Sequence, residues 1–217
     1  MMTEAFHTVM EGGTGEIVIK KSRFIATVTP VKTEEEAINI IEVLKKKYWD
    51  ASHNCSAYII GTENQVLRCS DDGEPSKTAG RPMLDILINN GLTNLVVVVT
   101  RYFGGTLLGT GGLVKAYQSA VLEGLNQSTI IKKELGNKVD ITTDYNCIGK
   151  IQYYINQENI TILTSEYTDI VTTTVLVSPS HYDSFTKKIA ELTNGSAILT
   201  MNGQIFYTIL DGNVIVF

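Results

Sequence analysis

An acidic loop holds the side chains best suited to acid–base or metal chemistry. Asp71, Asp72 and Glu74 fall within four consecutive residues. Carboxylate oxygens so close together can bind a divalent cation or act as an acid–base pair, with His53 as a further candidate base. The same residues suit a solvated tight turn, since Asp72-Gly73 is a common turn dipeptide. No second acidic cluster completes a metal shell, so we expect no metal and keep acid–base chemistry by these four residues as a hypothesis.

A glycine-rich loop offers a different chemistry, the binding of an anion. Residues 104–112 contain five glycines, at 104, 105, 109, 111 and 112. Such a loop can turn its backbone N–H groups outward, and a helix that follows adds the positive end of its dipole. The segment lacks the Gly-Lys-Ser/Thr of a nucleotide-binding P-loop and the glycine spacing of a dinucleotide site. It therefore predicts contact with a phosphate, from a nucleotide or an RNA backbone, or close packing of the loop on a sheet.

The arginines place any anion site in the first half of the chain. Residues 1–127 hold 12 basic and 14 acidic side chains, and residues 128–217 hold 6 and 9, yet all four arginines fall in the first half. Arginine is the side chain suited to bidentate phosphate contacts. Tyr102 and Phe103 are either base-stacking groups or anchors in the core. The candidate anion-binding residues are Lys20, Arg23, Thr78, Arg81, Arg101, Tyr102, Gly104, Gly105, Gly109, Gly111 and Gly112.

Regular elements must hold these loops in place. Thr33 and Glu36 have the spacing of a capping box, which predicts a helix over residues 33–48, with Trp49 in a packing role at its end. Four consecutive valines predict a strand over residues 94–100 with apolar cover on both faces. The helix that follows the glycine loop has one apolar stripe, formed by Leu113, Ala116, Tyr117, Ala120 and Val121.

The second half of the chain predicts a separate domain. The expected elements are a strand (130–143), a helix (145–158), two strands (160–166 and 170–177), a helix (180–193) and a strand (196–210). This β-α-β-β-α-β order is typical of a ferredoxin-like domain. The sequence therefore predicts an α+β protein with two domains, residues 1–128 and 129–217.

Composition narrows the classes of protein further. The chain has 217 residues, 43% of them hydrophobic, with 18 basic and 23 acidic side chains and a net charge of −5. This balance excludes a generally basic protein that coats nucleic acid by charge alone. Cys55, Cys69 and Cys147 have no disulfide or zinc spacing, and the first two are expected to be buried. The N-terminal residues show no secretory signal, so we expect a cytoplasmic protein with no membrane contact. We also expect no cofactor.

Several long motifs resemble one known family. They are Lys20-Lys21-Ser22-Arg23-Phe24, Asp71-Asp72-Gly73-Glu74-Pro75, Thr78-Ala79-Gly80-Arg81-Pro82-Met83-Leu84, Thr100-Arg101-Tyr102-Phe103-Gly104-Gly105 and Leu108-Gly109-Thr110-Gly111-Gly112-Leu113-Val114-Lys115-Ala116-Tyr117. On these residues the chain is identified as a bacterial member of the IMPACT/YigZ family. The resemblance implies a first domain like the second domain of ribosomal protein S5 and a ferredoxin-like second domain. Together they are similar in shape to the last two domains of elongation factor G.

The resemblance also implies a link to translation. Eukaryotic members of the family regulate translation by competing for the ribosome-associated activator of a kinase. For bacterial members, nucleic-acid or ribosome binding is the usual inference from the fold. We therefore favour a non-catalytic translation-associated factor that binds RNA, the ribosome or a translation protein through its first domain. Two alternatives are an enzyme acting on a phosphorylated or acyl small molecule, using His53 and the acidic loop, and a protein-interaction module.

Overall fold

The computed structural model describes residues 3–217, which form two compact units of mixed helices and strands. One unit comprises Phe6–Lys132, and the other comprises Lys133–Phe217 with the described residues up to Ala5. The second unit begins inside a strand that continues from Thr129, so the domain boundary at 128/129 stays a prediction. None of the helices among the described residues has the length and apolar character needed to cross a membrane.

The elements of the first unit come in a mixed order. They are β1 (Ala5–Glu11), β2 (Thr14–Ile19), β3 (Ser22–Pro30), α1 (Glu34–Lys47), β4 (His53–Ile60), β5 (Val66–Ser70), α2 (Gly80–Asn89), β6 (Leu95–Tyr102) and α3 (Thr110–Asn126). Five of the strands form an antiparallel sheet in the order β2-β3-β6-β4-β5. Strand β1 was not among the predicted elements.

Strand β6 runs through the centre of this sheet, as its four valines predicted. Val97 and Val99 pack in the core that contains α2 and α3, whereas Val96 and Val98 pack in the core beneath α1. The prediction of apolar cover on both faces is confirmed. The stripe predicted for α3 is confirmed as well, because all five of its residues are buried.

The first helix begins at the predicted cap. The Oγ1 atom of Thr33 accepts a hydrogen bond from the N–H of Glu36 at 3.2 Å, and the Glu36 carboxylate accepts one from the N–H of Lys32 at 2.6 Å. The end of this helix differs from the expectation. Trp49 does not pack against the fold: 82% of it is exposed, because α1 ends at Lys47 and the chain turns away before β4. The packing role predicted for Trp49 is therefore wrong.

The second unit contains the predicted β-α-β-β-α-β order and one further strand. Its elements are β7 (Thr129–Thr143), α4 (Tyr145–Gln157), β8 (Thr161–Tyr167), β9 (Val171–Val177), a 3-10 turn (Pro179–His181), α5 (Tyr182–Thr193), β10 (Ile198–Leu210) and β11 (Asn213–Val216). The strands pair in the order β11-β10-β7-β9-β8. Ile151 and Ile155 of α4 and Phe185 and Ile189 of α5 are buried against this sheet.

Candidate functional site

The acidic loop and the end of β6 meet in a buried ion pair. Nη1 of Arg101 donates to Oε1 of Glu74 at 2.5 Å, and the two side chains are 7% and 2% exposed. The hydroxyl of Tyr117, on α3, donates to the same carboxylate oxygen at 2.7 Å. Because a buried charge is stable only when it is paired and hydrogen-bonded, these three side chains lock the acidic loop, β6 and α3 together.

The thiol of Cys55 also adjoins this ion pair, and both this thiol and the Tyr117 hydroxyl stay protonated at neutral pH. The thiol of Cys55 donates to the carbonyl oxygen of Asp71 at 3.0 Å and lies 3.4 Å from the Tyr117 hydroxyl. Burial raises the pKa of Cys55 to about 12, and burial also raises the pKa of Tyr117. Neither group is an ionised nucleophile, and the Tyr117 hydroxyl keeps the proton that it donates to Glu74.

The three cysteines differ in exposure, which gives a direct test of this burial. Cys55 is buried, whereas Cys69 is exposed and Cys147 is half-buried; the expectation that Cys69 is buried is therefore wrong, since it lies on the edge strand β5. With a pKa of about 12, only roughly one Cys55 thiol in 10⁴ is ionised at pH 8. A thiol-specific disulfide reagent should modify two thiols in the native protein and a third only after urea is added. Rapid modification of Cys55 in the native protein would contradict this arrangement.

His53 lies at the start of β4, beside the acidic loop. Its Nδ1 is 2.9 Å from the carbonyl oxygen of Asp72, and because a carbonyl oxygen only accepts, Nδ1 carries a proton. The other ring nitrogen, Nε2, lies 3.9 Å from the Glu74 carboxylate. The fold thus brings His53 beside the acidic loop, but its hydrogen bond there is to the backbone of Asp72 and not to a carboxylate.

The other two carboxylates of the loop are engaged by protein donors. Asp71 accepts hydrogen bonds from the N–H groups of Lys77, Ala79 and Gly80 at 2.8, 3.0 and 2.8 Å, so it caps the start of α2 from a distance in sequence. One oxygen of Asp72 binds the ammonium of Lys45 at 2.5 Å and the other accepts from the N–H of Asn54 at 2.7 Å.

These contacts bear on the enzyme and metal hypotheses. Both oxygens of Asp71 and of Asp72 serve as structural acceptors, and Glu74 neutralises Arg101. Among the described residues, no cluster of three or more His, Cys, Asp and Glu side chains has the arrangement of a metal site. The acidic loop is therefore a rigid support for its neighbours, and the enzyme alternative is not favoured.

The turn between β2 and β3 has an unusual composition. Ile19 pairs with Ser22 across the hairpin, which leaves a two-residue turn formed by Lys20 and Lys21, here called the lysine turn. Both residues adopt the left-handed conformation, with φ of 47° and 68°. Turns of this geometry normally contain Asn-Gly or Asp-Gly, because a Cβ is unfavourable there. Among the described residues, neither lysine forms an ion pair.

The glycine loop, residues 104–112, lies directly against the lysine turn. The N–H of Gly104 donates to Oγ of Ser22 at 3.1 Å, and a Cβ added at Gly104 would overlap the backbone of Lys21. Glycine is required here for this close approach.

The rest of the glycine loop faces open space. A Cβ added at Gly105, Gly109 or Gly111 would meet no neighbouring atom, and within the described part of the chain the N–H groups of residues 105–109 donate to no protein acceptor. Helix α3 starts immediately afterwards, with Gly109 as its N-cap and no acidic residue in its first turn. The positive end of the helix dipole is therefore not compensated by a side chain.

The remaining predicted anion-binding residues already have partners within the protein. Arg23 makes two hydrogen bonds to Glu16, at 2.9 and 3.0 Å, and Arg81 binds Asp85 at 2.8 Å. The hydroxyl of Thr78 donates to the carbonyl oxygen of Pro75 at 2.6 Å, and that of Tyr102 donates to Asp50 at 2.9 Å. The exposed arginines remain accessible, because surface ion pairs are weak.

The prediction of this surface missed Lys21. Its signal was in the sequence: two lysines stand between two strands at the position where a hairpin normally has Asn-Gly. The four arginines had suggested an anion site spread over the first domain. Instead, the glycine loop approaches the backbone of the lysine turn, and neither of its two lysines forms an ion pair with any described residue.

Comparison with known families matches both halves of the chain. The family described as "Impact N-terminal domain" matches residues 20–125, and the "Domain of unknown function (DUF1949)" matches residues 141–196. The first match spans the lysine turn, the acidic loop and the glycine loop.

Individual relatives extend these matches over most of the chain. The IMPACT family member YvyE of Bacillus subtilis is 40% identical over 206 residues, which cover 95% of this chain and 94% of the relative. YigZ of Escherichia coli is 37% identical over 180 residues, 82% of this chain and 88% of that protein. Protein IMPACT of Mus musculus is 37% identical over 98 residues, 43% of this chain and 30% of the mouse protein. A crystal structure described as that of "an hypothetical protein" is 34% identical, with a TM-score of 0.59, and covers 93% of this chain and 99% of its own.

Proposed function

This chain belongs to the IMPACT family, and on that premise we propose that it is a non-catalytic regulator of translation that binds ribosomal RNA through its first domain. The proposed contact surface consists of the lysine turn and the glycine loop. The residues that form or support this surface are Lys20, Arg23, Arg101, Tyr102 and the glycines of residues 104–112. The other two candidate residues lie nearby in sequence, Thr78 in the acidic loop and Arg81 in α2. The resemblance to the IMPACT family, which implies that its eukaryotic members regulate translation, supports this direction.

The close approach of Gly104 to the lysine turn is the observation that carries the proposal. It places the backbone of the lysine turn, whose two lysines form no ion pair within the described part of the chain, against a loop whose N–H groups and helix terminus attract negative charge. This combination suits the phosphate groups of an RNA backbone, which attract lysine as a point charge and accept hydrogen bonds from backbone N–H groups. It does not depend on the net charge of −5, because the contact is local.

The conformation of the lysine turn supports a role in binding. A residue with a Cβ costs about 1–2 kcal/mol in the left-handed conformation, and both Lys20 and Lys21 adopt it. Asn-Gly at these positions would lower this cost, because glycine has no Cβ and asparagine adopts the left-handed conformation more readily than lysine. Local backbone strain tends to be found at functional sites. Here the two strained residues are lysines, which place two positive charges at the tip of the hairpin.

The double variant Lys20→Asn/Lys21→Gly should separate stability from binding. We expect the free energy of unfolding to rise by about 2 kcal/mol, since Asn-Gly suits the left-handed turn. Affinity for ribosomes at 0.1 M salt should fall by about 20- to 60-fold, because two phosphate contacts are lost. Urea denaturation measures the first effect, and co-sedimentation with purified ribosomes measures the second.

The matched control is Lys187→Ala/Lys188→Ala. It removes the same charge from exposed positions of α5 in the second domain, so ribosome affinity should change by less than about threefold. If the turn variant binds ribosomes as tightly as the unmodified protein, the proposed surface is wrong. If the unmodified protein binds no ribosomes even at low salt, the proposed function is wrong.

The finer assignment of the fold belongs to the same proposal. We place the first domain, residues 1–128, with the second domain of ribosomal protein S5, and the second, residues 129–217, with the ferredoxin-like domains. The β-α-β-β-α-β order from β7 to β10, with β7 between β10 and β9 in the sheet, supports the second assignment. A protein that acts on ribosomes in this way works in the cytoplasm.

A further inference from the structure

We propose that an aromatic patch on the first domain stacks against unpaired bases of single-stranded RNA. The patch consists of two exposed residues, Trp49 and Phe103, and two half-buried residues, Tyr48 and Tyr102. This inference rests on the proposed function, because it specifies which form of RNA the domain recognises.

Hydrogen bonds bring the two segments of the patch together. The chain turns after α1 through residues 48–52, and the N–H of Ser52 donates to the carbonyl oxygen of Arg101 at 2.9 Å. In return the N–H of Phe103 donates to Oγ of Ser52 at 3.3 Å. The Tyr102 hydroxyl donates to Asp50 at 2.9 Å. The turn that carries Trp49 is therefore attached along the end of β6.

Two rings of the patch face solvent to an unusual extent. Trp49 is 82% exposed and Phe103 is 50% exposed, and among the described residues the indole of Trp49 makes no hydrogen bond and no ring contact. A tryptophan side chain has about 150–250 Å² of surface that is normally buried in a core or an interface. An indole held away from both is available for a partner.

The cations around the patch favour a nucleic acid over an apolar protein surface. The guanidinium of Arg23 lies 5.6 Å from the centre of the Tyr102 ring, and the ammonium of Lys47 lies 4.9 Å from that of Tyr48. Arg101 approaches Phe103 to 5.7 Å. Three nearby carboxylates, those of Glu16, Asp50 and Glu74, bind Arg23, Tyr102 and Arg101 respectively. The buried Arg101 is neutralised by Glu74, so Arg23 and Lys47 are the cations that can reach a phosphate.

Aromatic rings interleaved with cations are the arrangement that binds single-stranded nucleic acid. The rings stack on bases of any sequence, and the cations follow the phosphates. Bases in a duplex are stacked on each other and offer no free face. The patch should therefore prefer single-stranded over double-stranded RNA, with little preference for sequence.

Trp49 is the single tryptophan of the chain, so its fluorescence reports binding at the patch. We expect a 12-nucleotide oligouridine to quench this fluorescence at 50 mM salt, and a duplex RNA of the same length to quench it much less. In a separate measurement with a fluorescently labelled oligouridine, Trp49→Ala should weaken binding by about 5- to 150-fold, as expected for the loss of one stacked base. Tyr153→Ala, which removes an exposed ring from α4 in the second domain, is the matched control and should leave the affinity unchanged.

The outcomes distinguish this inference from the proposed function. If ribosomes bind through the lysine turn while oligouridine neither quenches Trp49 nor depends on it, the stacking inference is wrong and the proposed function stands. If Trp49→Ala abolishes ribosome binding although no isolated RNA binds, the patch contacts a protein, which also overturns the inference. Absence of binding to ribosomes and to every RNA would overturn both. Because Trp49 is exposed, Trp49→Ala should fold normally, which its circular dichroism spectrum checks.

Discussion

Replacing Glu74 with alanine is expected to lower the free energy of unfolding by about 3–5 kcal/mol, the cost of leaving a buried charge without its partner. The guanidinium of Arg101 lies 5.4 and 5.7 Å from the ring centres of Phe24 and Phe103, and its side chain is 7% exposed, so it does not readily move into solvent. The variant also leaves the Tyr117 hydroxyl without its acceptor. Guanidinium chloride or urea denaturation measures the effect.

An exposed ion pair of the same domain supplies the control. Glu16→Ala removes the partner of Arg23 at the surface, where such pairs contribute less than about 1 kcal/mol. The double variant Glu74→Leu/Arg101→Met should recover most of the lost stability, because well-packed apolar side chains can replace a buried ion pair. A loss below about 1 kcal/mol for Glu74→Ala, comparable with Glu16→Ala, would show that this pair does not lock the acidic loop to β6.

Replacing Gly104 with alanine is expected to disrupt the contact between the glycine loop and the lysine turn. The added Cβ would overlap the backbone carbon of Lys21 and the backbone nitrogen of Ser22. Backbone atoms cannot rotate away as a flexible side chain does, so the two segments must separate. We expect a loss of about 1–3 kcal/mol in stability, typical of overpacking, and a loss of at least about tenfold in affinity for ribosomes, equivalent to about 1.4 kcal/mol.

Gly149→Ala is the matched control for this substitution. Gly149 lies in α4 of the second domain, where an added Cβ would meet no neighbouring atom, and alanine is a better helix former than glycine by up to about 1 kcal/mol. Its stability should therefore be unchanged or higher, with ribosome affinity preserved. If Gly104→Ala behaves like Gly149→Ala in both measurements, the close approach of loop and turn is not what forms the binding surface.

The features that sequence could predict are those encoded by neighbours in the chain. The cap of α1 at Thr33 depends on a residue three positions later, and the burial of β6 on a run of four valines. The stripe of α3 follows helical periodicity. Each pattern is local, so each could be recognised before the chain was folded, and each is found in the structure.

The contacts that define the site join residues far apart in sequence. Glu74 and Arg101 are 27 positions apart, and nothing in either motif indicates that one neutralises the other. Asp71 looked like a candidate acid, yet its oxygens accept N–H groups that become available only when the loop folds back onto the start of α2. The exposure of Trp49 was equally unpredictable, because it depends on where the chain turns after α1 and not on the apolar character of the residue.

The salt dependence of ribosome binding tests the central claim most directly. We expect the logarithm of the association constant to fall linearly with the logarithm of the salt concentration, as counterions are released from phosphates. In Lys20→Asn/Lys21→Gly the slope should be smaller by about 1.4–1.8, the share of two lysine–phosphate contacts. Lys187→Ala/Lys188→Ala should keep the slope of the unmodified protein. An identical slope in the turn variant, or binding that does not change with salt, would contradict recognition of RNA by the lysine turn and the glycine loop.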